Sequence, residues 1–315
     1  MQMIWKNARL LFGRKPSKRV FASRTGAALT AVALAASLAG CGGGSGTDAS
    51  SVMSRLKKEG VVKVGFANEA PYSYTEGGEL TGIEMEFLKA FFKENDIKVE
   101  GVQVDFAGLI PGLQAKRYDM VGAGMYILPE RCKLADFGPP DYQVGTAFAV
   151  AKGNPLNIHS YADLAANESA VYATSSGVAE IQYAELAGVP KSRIQTFPSY
   201  ADAAAALAAG RVNVMAQQQI GLRSTLKALG SDKVEYVELS EQPKDKTGAT
   251  AVGYGGSLFP KDAGDLREAY TKWLAKARGD GTYKKIMNKF GFTDANMPPT
   301  DLTATDLCAG KIPNS

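Results

Sequence analysis

Short apolar runs alternate with amphipathic stretches along most of this chain, and the alternation predicts an α/β fold. Val61–Ala67, reading VVKVGFA, predicts a buried first strand. Gly82 opens an amphipathic helix over about Ile83–Asn95, with Ile83, Phe87, Leu88 and Phe91 on one face. Lys98–Val104 predicts a second strand, Phe106 starts a helix ending near Arg117, and Asp119–Ala123 predicts a third strand. Val144–Ala151, apolar and uncharged, predicts a strand leaving this lobe. A second set follows: a short helix Tyr161–Ala166, a strand Ala170–Thr174, a helix Val178–Ala187, a strand Ile194–Phe197, an alanine-rich helix Ala201–Ala209 and a strand Arg211–Ala216. A third helix and the strand Val234–Val237 close this set, and Thr250–Leu258 returns as a strand. Helices near Ala263–Arg278 and Thr282–Phe290 come last.

One stretch concentrates the candidate chemistry. Gly122 to Arg131, reading GAGMYILPER, predicts a tight glycine-rich corner at the carboxyl end of the third strand. In open α/β sheets that edge is where ligands bind. Arg131 offers a planar fork of donors suited to a carboxylate, and Tyr126 lies five residues before it. The loop Asn68–Tyr74, carrying Glu69 and Tyr72, also follows a strand. Ser176, Gly177 and Val178 precede a helix, where N–H groups can face an anion. Each has an ordinary alternative. Phe106 suits a core position, Glu69 a solvated one, and Gln217 and Gln218 suit helix caps. Arg131 suits an ion pair with Asp136 or Asp141.

Charge changes the picture only after the leader is set aside. The 315 residues are 45% hydrophobic and carry a formal +4. Residues 1–40 hold seven lysines and arginines and no acid, so removing them leaves −3, with no basis for nucleic-acid binding. This basic segment, followed by the apolar Ala27–Ala39, predicts an export signal, and the apolar part is short for a membrane span. It ends in Leu38-Ala39-Gly40-Cys41, which resembles the lipobox of bacterial lipoproteins, followed by the flexible GGGSGTDASS. The expectation is lipidation at Cys41; the alternative is a plain cleavable signal. Cys132 and Cys308 then remain. In an exported protein two such cysteines are expected to pair, bracing the loop after Arg131; the alternative is two free buried thiols.

The segments VKVGFANEAPYSY, GLIPGLQAKRYDMVGAGMYILPER, ADFGPPDY and LAKARGDGTYKKIMNKFG resemble the family 3 solute-binding proteins of ABC importers, in order and spacing over nearly all of residues 60–292. The resemblance implies an α/β, two-lobed, type II periplasmic-binding-protein fold with a ligand cleft between the lobes. Its two crossing strands fall near Val144–Ala151 and Thr247–Gly253. The implied layout is a signal over 1–40, a tether over 41–52, lobe 1 over 53–146 plus 250–315, and lobe 2 over 147–249. NEAPY, DFAGLIPGL, GAGMYILPERC and the C-terminal Leu-Cys-Ala-Gly are similar to the ectoine/hydroxyectoine-binding proteins in particular. Most amino-acid binders of the family have a small hydroxyl residue where Tyr126 stands and often a Thr at Leu128, and many place an Asp near Gln217 and Gln218; this chain departs at all of these. The subgroup implies Arg131 on a carboxylate, and Tyr72, Phe106 and Tyr126 as an aromatic box for a diffuse cation. Glu69 would take ring N–H groups, with backbone near Gly124 and Leu128 completing the shell. From the second lobe come Ser176, Gly177, Val178, Gln217 and Gln218. The expected protein is a monomer that works with an ABC permease, needs no cofactor or metal and catalyses nothing. A polar amino acid or a betaine is the alternative ligand. An enzyme resembling a cyclohexadienyl dehydratase is the remaining alternative, and no Ser/His/Asp set or metal cluster in the sequence supports it.

Overall fold

The computed structural model describes residues 51–313; the expected export signal, Cys41 and most of the expected tether lie outside them. Helix α1 (Val52–Glu59) is capped by Ser51, whose hydroxyl accepts the Ser54 N–H. There follow β1 (Val61–Phe66), the hairpin β2 (Tyr74–Glu76) and β3 (Glu79–Thr81), α2 (Ile83–Lys93) and β4 (Lys98–Gln103). A 3-10 turn at Phe106–Gly108 runs into α3 (Leu109–Gln114). Then come β5 (Met120–Tyr126), α4 (Pro129–Cys132), β6 (Asp136–Phe137) and β7 (Tyr142–Val144). The chain crosses at Gly145 into β8 (Thr146–Ala151), α5 (Tyr161–Ala166), β9 (Tyr172–Ser175), α6 (Ala179–Leu186) and β10 (Ile194–Phe197). After these lie α7 (Tyr200–Ala208), β11 (Val214–Gln218), α8 (Gln219–Leu229) and β12 (Val234–Glu238). It returns through β13 (Gly253–Phe259), α9 (Gly264–Gly279), α10 (Thr282–Lys289) and α11 (Ala304–Cys308). Among the described residues no helix is long and apolar enough to cross a membrane.

Two sheets result. The first has the order β4-β1-β5-β13-β6, with β7 also on β13; the second has the order β10-β9-β11-β8-β12. In each, the βα units give parallel neighbours (β4, β1 and β5; β10, β9 and β11), and the segments entering and leaving the lobe add antiparallel ones. The two connecting segments are tied side by side. Gln242 accepts the Thr146 N–H at 2.7 Å and donates to the Thr146 carbonyl at 3.1 Å. Helix α2 sets its predicted face, Ile83, Phe87, Leu88 and Phe91, into the first lobe's core. Each such side chain contributes about 1.5–3 kcal/mol of burial.

The predicted glycine-rich corner is instead strand. β5 runs on to Tyr126, fully buried along its length, and the turn comes at Ile127 and Leu128. A Cβ on Gly122 would stand 2.6 Å from Leu88 Cδ1, so this glycine lets α2 lie close against the sheet. Gly124 has φ +62°, a kink that only glycine adopts without cost inside a strand. The strand β11 likewise extends to Gln218, past the expected end at Ala216. Gln217 and Gln218 are therefore strand residues, with side chains on opposite faces, and Gln218 is also the N-cap residue of α8, its side chain making no capping hydrogen bond.

One buried pair of acids lies in the first lobe's core. Glu84 accepts the Ser257 hydroxyl at 2.9 Å, and Asp141 accepts Tyr270 at 3.1 Å and the Ser257 N–H at 3.2 Å. Burial raises the pKa of both, and a carboxyl beside a carboxylate is the form two such neighbours favour at neutral pH. Tyr283 also donates to the Asp141 carbonyl, so the segment entering β7 is held on both its backbone and its side chain.

Candidate functional site

The facing edges of the two sheets meet along a seam, and the buried polar groups collect there. The first wall comes from the turn after β1. The N–H groups of Tyr72 and Ser73 both donate to the Glu69 carbonyl, at 2.9 and 3.0 Å, and Glu69 N–H donates to the Ser73 carbonyl at 2.8 Å. This closed turn points Glu69 and Tyr72 inward, 8% and 1% exposed. Tyr72 packs on Tyr142, centroids 5.1 Å apart, and on Phe292 at 6.0 Å. A Cβ on Gly221 of α8 would come 3.2 Å from its ring, so Tyr72 also touches the second lobe.

Tyr126 ends β5 with its ring pressed on Gly253 at the start of β13. A Cβ on Gly253 would sit 1.8 Å from the ring's Cζ. Gly253→Ala is therefore expected to push the Tyr126 ring out of place. An overpacked contact of this kind costs about 1–3 kcal/mol. A thermal melt should show a lower Tm and calorimetry a weakened ligand; an unchanged affinity would remove Tyr126 from the binding wall.

Pro129 starts α4 at its first position, with Leu128 as its half-buried N-cap. Arg131 then lies on the short helix's inner side, 8% exposed. It donates to the Tyr126 carbonyl at 2.9 Å and, across the seam, to the Gly177 carbonyl at 2.8 Å. Its guanidinium lies 5.5 Å from the centroid of Phe106, which is thus the platform under the arginine as well as a buried residue. The alternative ion pairs are not made. Asp136 bonds Lys261 at 2.6 Å, and Asp141 is taken by Tyr270 and Ser257.

The second wall corrects one sequence expectation. Ser176 does not offer its N–H to an anion, because that group donates to the Phe197 carbonyl at 2.9 Å, continuing the β9–β10 pairing. Gly177 turns its carbonyl, a hydrogen-bond acceptor, toward Arg131. A Cβ on it would meet Ala107 at 3.1 Å. Val178 caps α6 and is buried. Gln217 accepts the Thr225 hydroxyl at 2.9 Å.

The second wall also adds residues that the sequence did not single out. Glu180, in the first turn of α6, is 1% exposed. One of its oxygens accepts the Tyr200 hydroxyl at 3.4 Å, and its backbone carbonyl accepts the Tyr172 hydroxyl at 3.0 Å. Burial raises Glu180 to about 7, with Arg131 pulling the other way. Burial, reinforced by Glu180, raises Glu69 to about 8. The phenols of Tyr72 and Tyr126 are pushed up by burial and stay neutral. Among the described residues, six buried side-chain oxygens have no hydrogen-bond partner: Glu84 Oε1 in the first lobe's core, and Glu69 Oε2, Tyr72 OH, Tyr126 OH, Glu180 Oε1 and Gln218 Oε1. Buried polar groups are normally paired, so this many open valences along one seam mark a place for a polar guest.

Clefts between the two lobes open along the seam, two of them beside its buried acid and its arginine. One of about 490 Å³ is lined by Glu69 and Asp105 from the first lobe and by Tyr200, Gln217 and Thr225 from the second. The other, about 300 Å³, is lined by Leu128, Arg131, Gly177 and Val178. The structure thus brings Glu69, Tyr72, Phe106, Tyr126, Arg131 and Gly177 to one seam. Gly124 is buried behind Tyr72, its carbonyl bonded to the Tyr142 hydroxyl.

Known proteins share this arrangement of chain. The profile of the bacterial extracellular solute-binding proteins, family 3, matches residues 62–293. The probable amino-acid ABC transporter periplasmic-binding protein y4tE of Sinorhizobium fredii is 33% identical over 262 residues, covering 82% of this chain and 86% of that protein. The crystal structure of EhuB in complex with hydroxyectoine has a TM-score of 0.75 at 29% identity, covering 82% of this chain and 98% of that one. The ancestral amino acid-binding protein AncCDT-1, a precursor of cyclohexadienyl dehydratase, has a TM-score of 0.66 at 29% identity, over 76% of this chain and 99% of that one.

Proposed function

The chain belongs to the bacterial extracellular solute-binding proteins, family 3, with the type II periplasmic-binding-protein fold, and from that premise we propose that it captures an ectoine-type zwitterion between its lobes and delivers it to an ABC permease. The family serves ABC transport of amino acids and similar solutes, and its members bind rather than catalyse. The observation that carries the finer reading is the composition of the seam: one buried guanidinium, a set of aromatic rings, and two buried carboxyls. Arg131 keeps donors beyond the two engaged with Tyr126 and Gly177, and these suit a ligand carboxylate. Tyr72 and Tyr126 offer aromatic surface to a delocalised cation, each face worth about 0.5–2 kcal/mol. Glu69 and Glu180 supply acceptors for the cation's N–H groups. The likeness to EhuB supports the same solute class.

The second reading is a polar amino acid. Glu180 favours it, because a second-lobe carboxylate can hold an α-ammonium group in place of an acid near Gln217. The likeness to y4tE points the same way. Calorimetry with ectoine, hydroxyectoine, glycine betaine and a panel of amino acids separates the two. Saturable heat with ectoines and none with amino acids is expected; the opposite pattern would assign the site to amino acids.

For placement we propose a lipid on Cys41. Cys41→Ser is expected to move the protein from the membrane fraction to the soluble one. Recovery of both forms in the soluble fraction would leave only a cleaved signal.

A further inference from the structure

Glu69 and Glu180 come from opposite lobes and meet only when the lobes meet. Glu69 stands on the turn after β1 and Glu180 on the first turn of α6, and each is buried with one unpartnered oxygen. The first lobe faces them with Arg131 and with the phenols of Tyr72, Tyr126 and Tyr142. The second lobe faces them with the phenols of Tyr161, Tyr172, Tyr183 and Tyr200. Asp105 and Asp202 stand exposed at the rim of the cleft beside Glu69. Around the buried pair there is one guanidinium for two carboxyls. That guanidinium is partly engaged with the carbonyls of Tyr126 and Gly177.

With the lobes together and nothing between them, Arg131 balances at most one of the two carboxylates. The other keeps its charge only at the cost of an uncompensated buried ion, so it takes up a proton or meets a foreign cation. In an open cleft water solvates both. We propose that this divided carboxyl pair makes lobe closure conditional on a positive charge, so that the empty protein stays open at neutral pH and only a solute with a cationic group closes it. The inference rests on reading the seam as a ligand cleft that opens, and it deepens that reading by assigning Glu180 the selection of a cationic group. A neutral or purely anionic solute would leave the charge imbalance in place, however well it fitted.

The direction of the pH dependence follows from linkage. Closure raises Glu69 to about 8 and Glu180 to about 7, whereas a solvated glutamate titrates at about 4.3. Closing the empty protein therefore binds protons. Its closed form is favoured most below about pH 4, where the solvated carboxyls are already protonated. That advantage is lost as the pH rises through about 7 to 8. A bound cation competes with these protons, so affinity for a zwitterion should rise over the same interval.

The test needs no ligand. Fluorophores introduced as unnatural amino acids on α2 and α8 report lobe separation in single molecules of the full chain. The closed-to-open ratio of the empty protein is expected to rise at least tenfold from pH 8 to pH 5. Glu180→Gln is expected to raise that ratio at least tenfold at pH 8 and to flatten its pH dependence. Glu69→Gln should do the same and serves as the independent variant if the first does not fold. The Glu84–Asp141 pair lies within one lobe and is intact in both variants, so it accounts for none of the difference between them and the parent. A ratio independent of pH, or a Glu180→Gln protein as open as the parent at pH 8, would overturn the proposal. Failure of every solute in the calorimetric panel would instead strike the ectoine reading while leaving this result untouched.

Discussion

Arg131→Ala is expected to weaken binding of whichever solute the parent captures by at least about a hundredfold, equivalent to about 2.7 kcal/mol. Truncating one member of a buried, hydrogen-bonded charge pair commonly costs about 2–5 kcal/mol, because the remaining charge is left uncompensated. Here the loss has three parts. The ligand's carboxylate loses its donor fork. The carbonyls of Tyr126 and Gly177 lose the group that joins them across the seam. Glu180 is left without the cation that pulls its carboxyl down, which raises further a group already elevated by burial. Arg131→Lys separates these contributions. A lysine keeps the charge but cannot serve two carbonyls and a carboxylate in one plane, so an intermediate loss of about tenfold is expected. Parent-like affinity in Arg131→Ala, measured by calorimetry, would mean that the guanidinium only latches the lobes and that the ligand's anion lies elsewhere.

What was legible in the sequence follows physical lines. Apolar strands such as Thr146–Ala151 declare themselves, because both faces of the sheet are covered and the run is continuous. Arg131 and Tyr72 stand out as candidates because a cation and an aromatic ring after strand ends have few structural uses, and the structure buries both. The glycines of GAGMY were misread as a corner, because glycine signals a turn in sequence whether the chain needs space or a positive φ. Gly122 serves packing against Leu88, a partner 34 positions earlier that no local window connects to it. Glu180 was hidden for the opposite reason. An acid in the first turn of a helix is ordinary, since it meets the positive end of the helix dipole. Only the arrangement of two lobes shows that this carboxyl is buried opposite Glu69. The misassigned Ser176 N–H has the same origin: whether a backbone donor is free depends on a neighbouring strand, here Phe197.

The second large effect concerns the tail. Cys132 and Cys308 are joined, as the reading of an exported protein leads one to expect, over a sequence separation of 176 residues. Closing so long a loop restricts the unfolded chain, and the entropic relation gives about 5 kcal/mol, with typical measured values of about 2–4 kcal/mol. The double variant Cys132→Ala with Cys308→Ala is therefore expected to lower Tm by about 4–16 °C, taking the measured range and about 2–4 °C per kcal/mol for a domain of this size. The effect on binding should be much smaller. Cys132 follows Arg131 directly, but α4 keeps other anchors. The Cys132 N–H donates to the Leu128 carbonyl at 3.0 Å, and Lys261 donates to the Cys132 carbonyl at 2.6 Å. Leu302 and Leu307 also hold the tail by burial, independently of the bridge. Yet the tail is not remote from the seam. Leu307, Gly310 and Ile312 line a cavity of about 270 Å³ together with Tyr126, Leu128 and Tyr183. Parallel melting and calorimetry on the double variant distinguish two roles for it. A large fall in Tm with an affinity within about threefold of the parent makes the bridge a brace for the first lobe. A collapse of affinity with little change in Tm would instead make the tail a wall of the binding site, holding Tyr126 and Leu128 from behind.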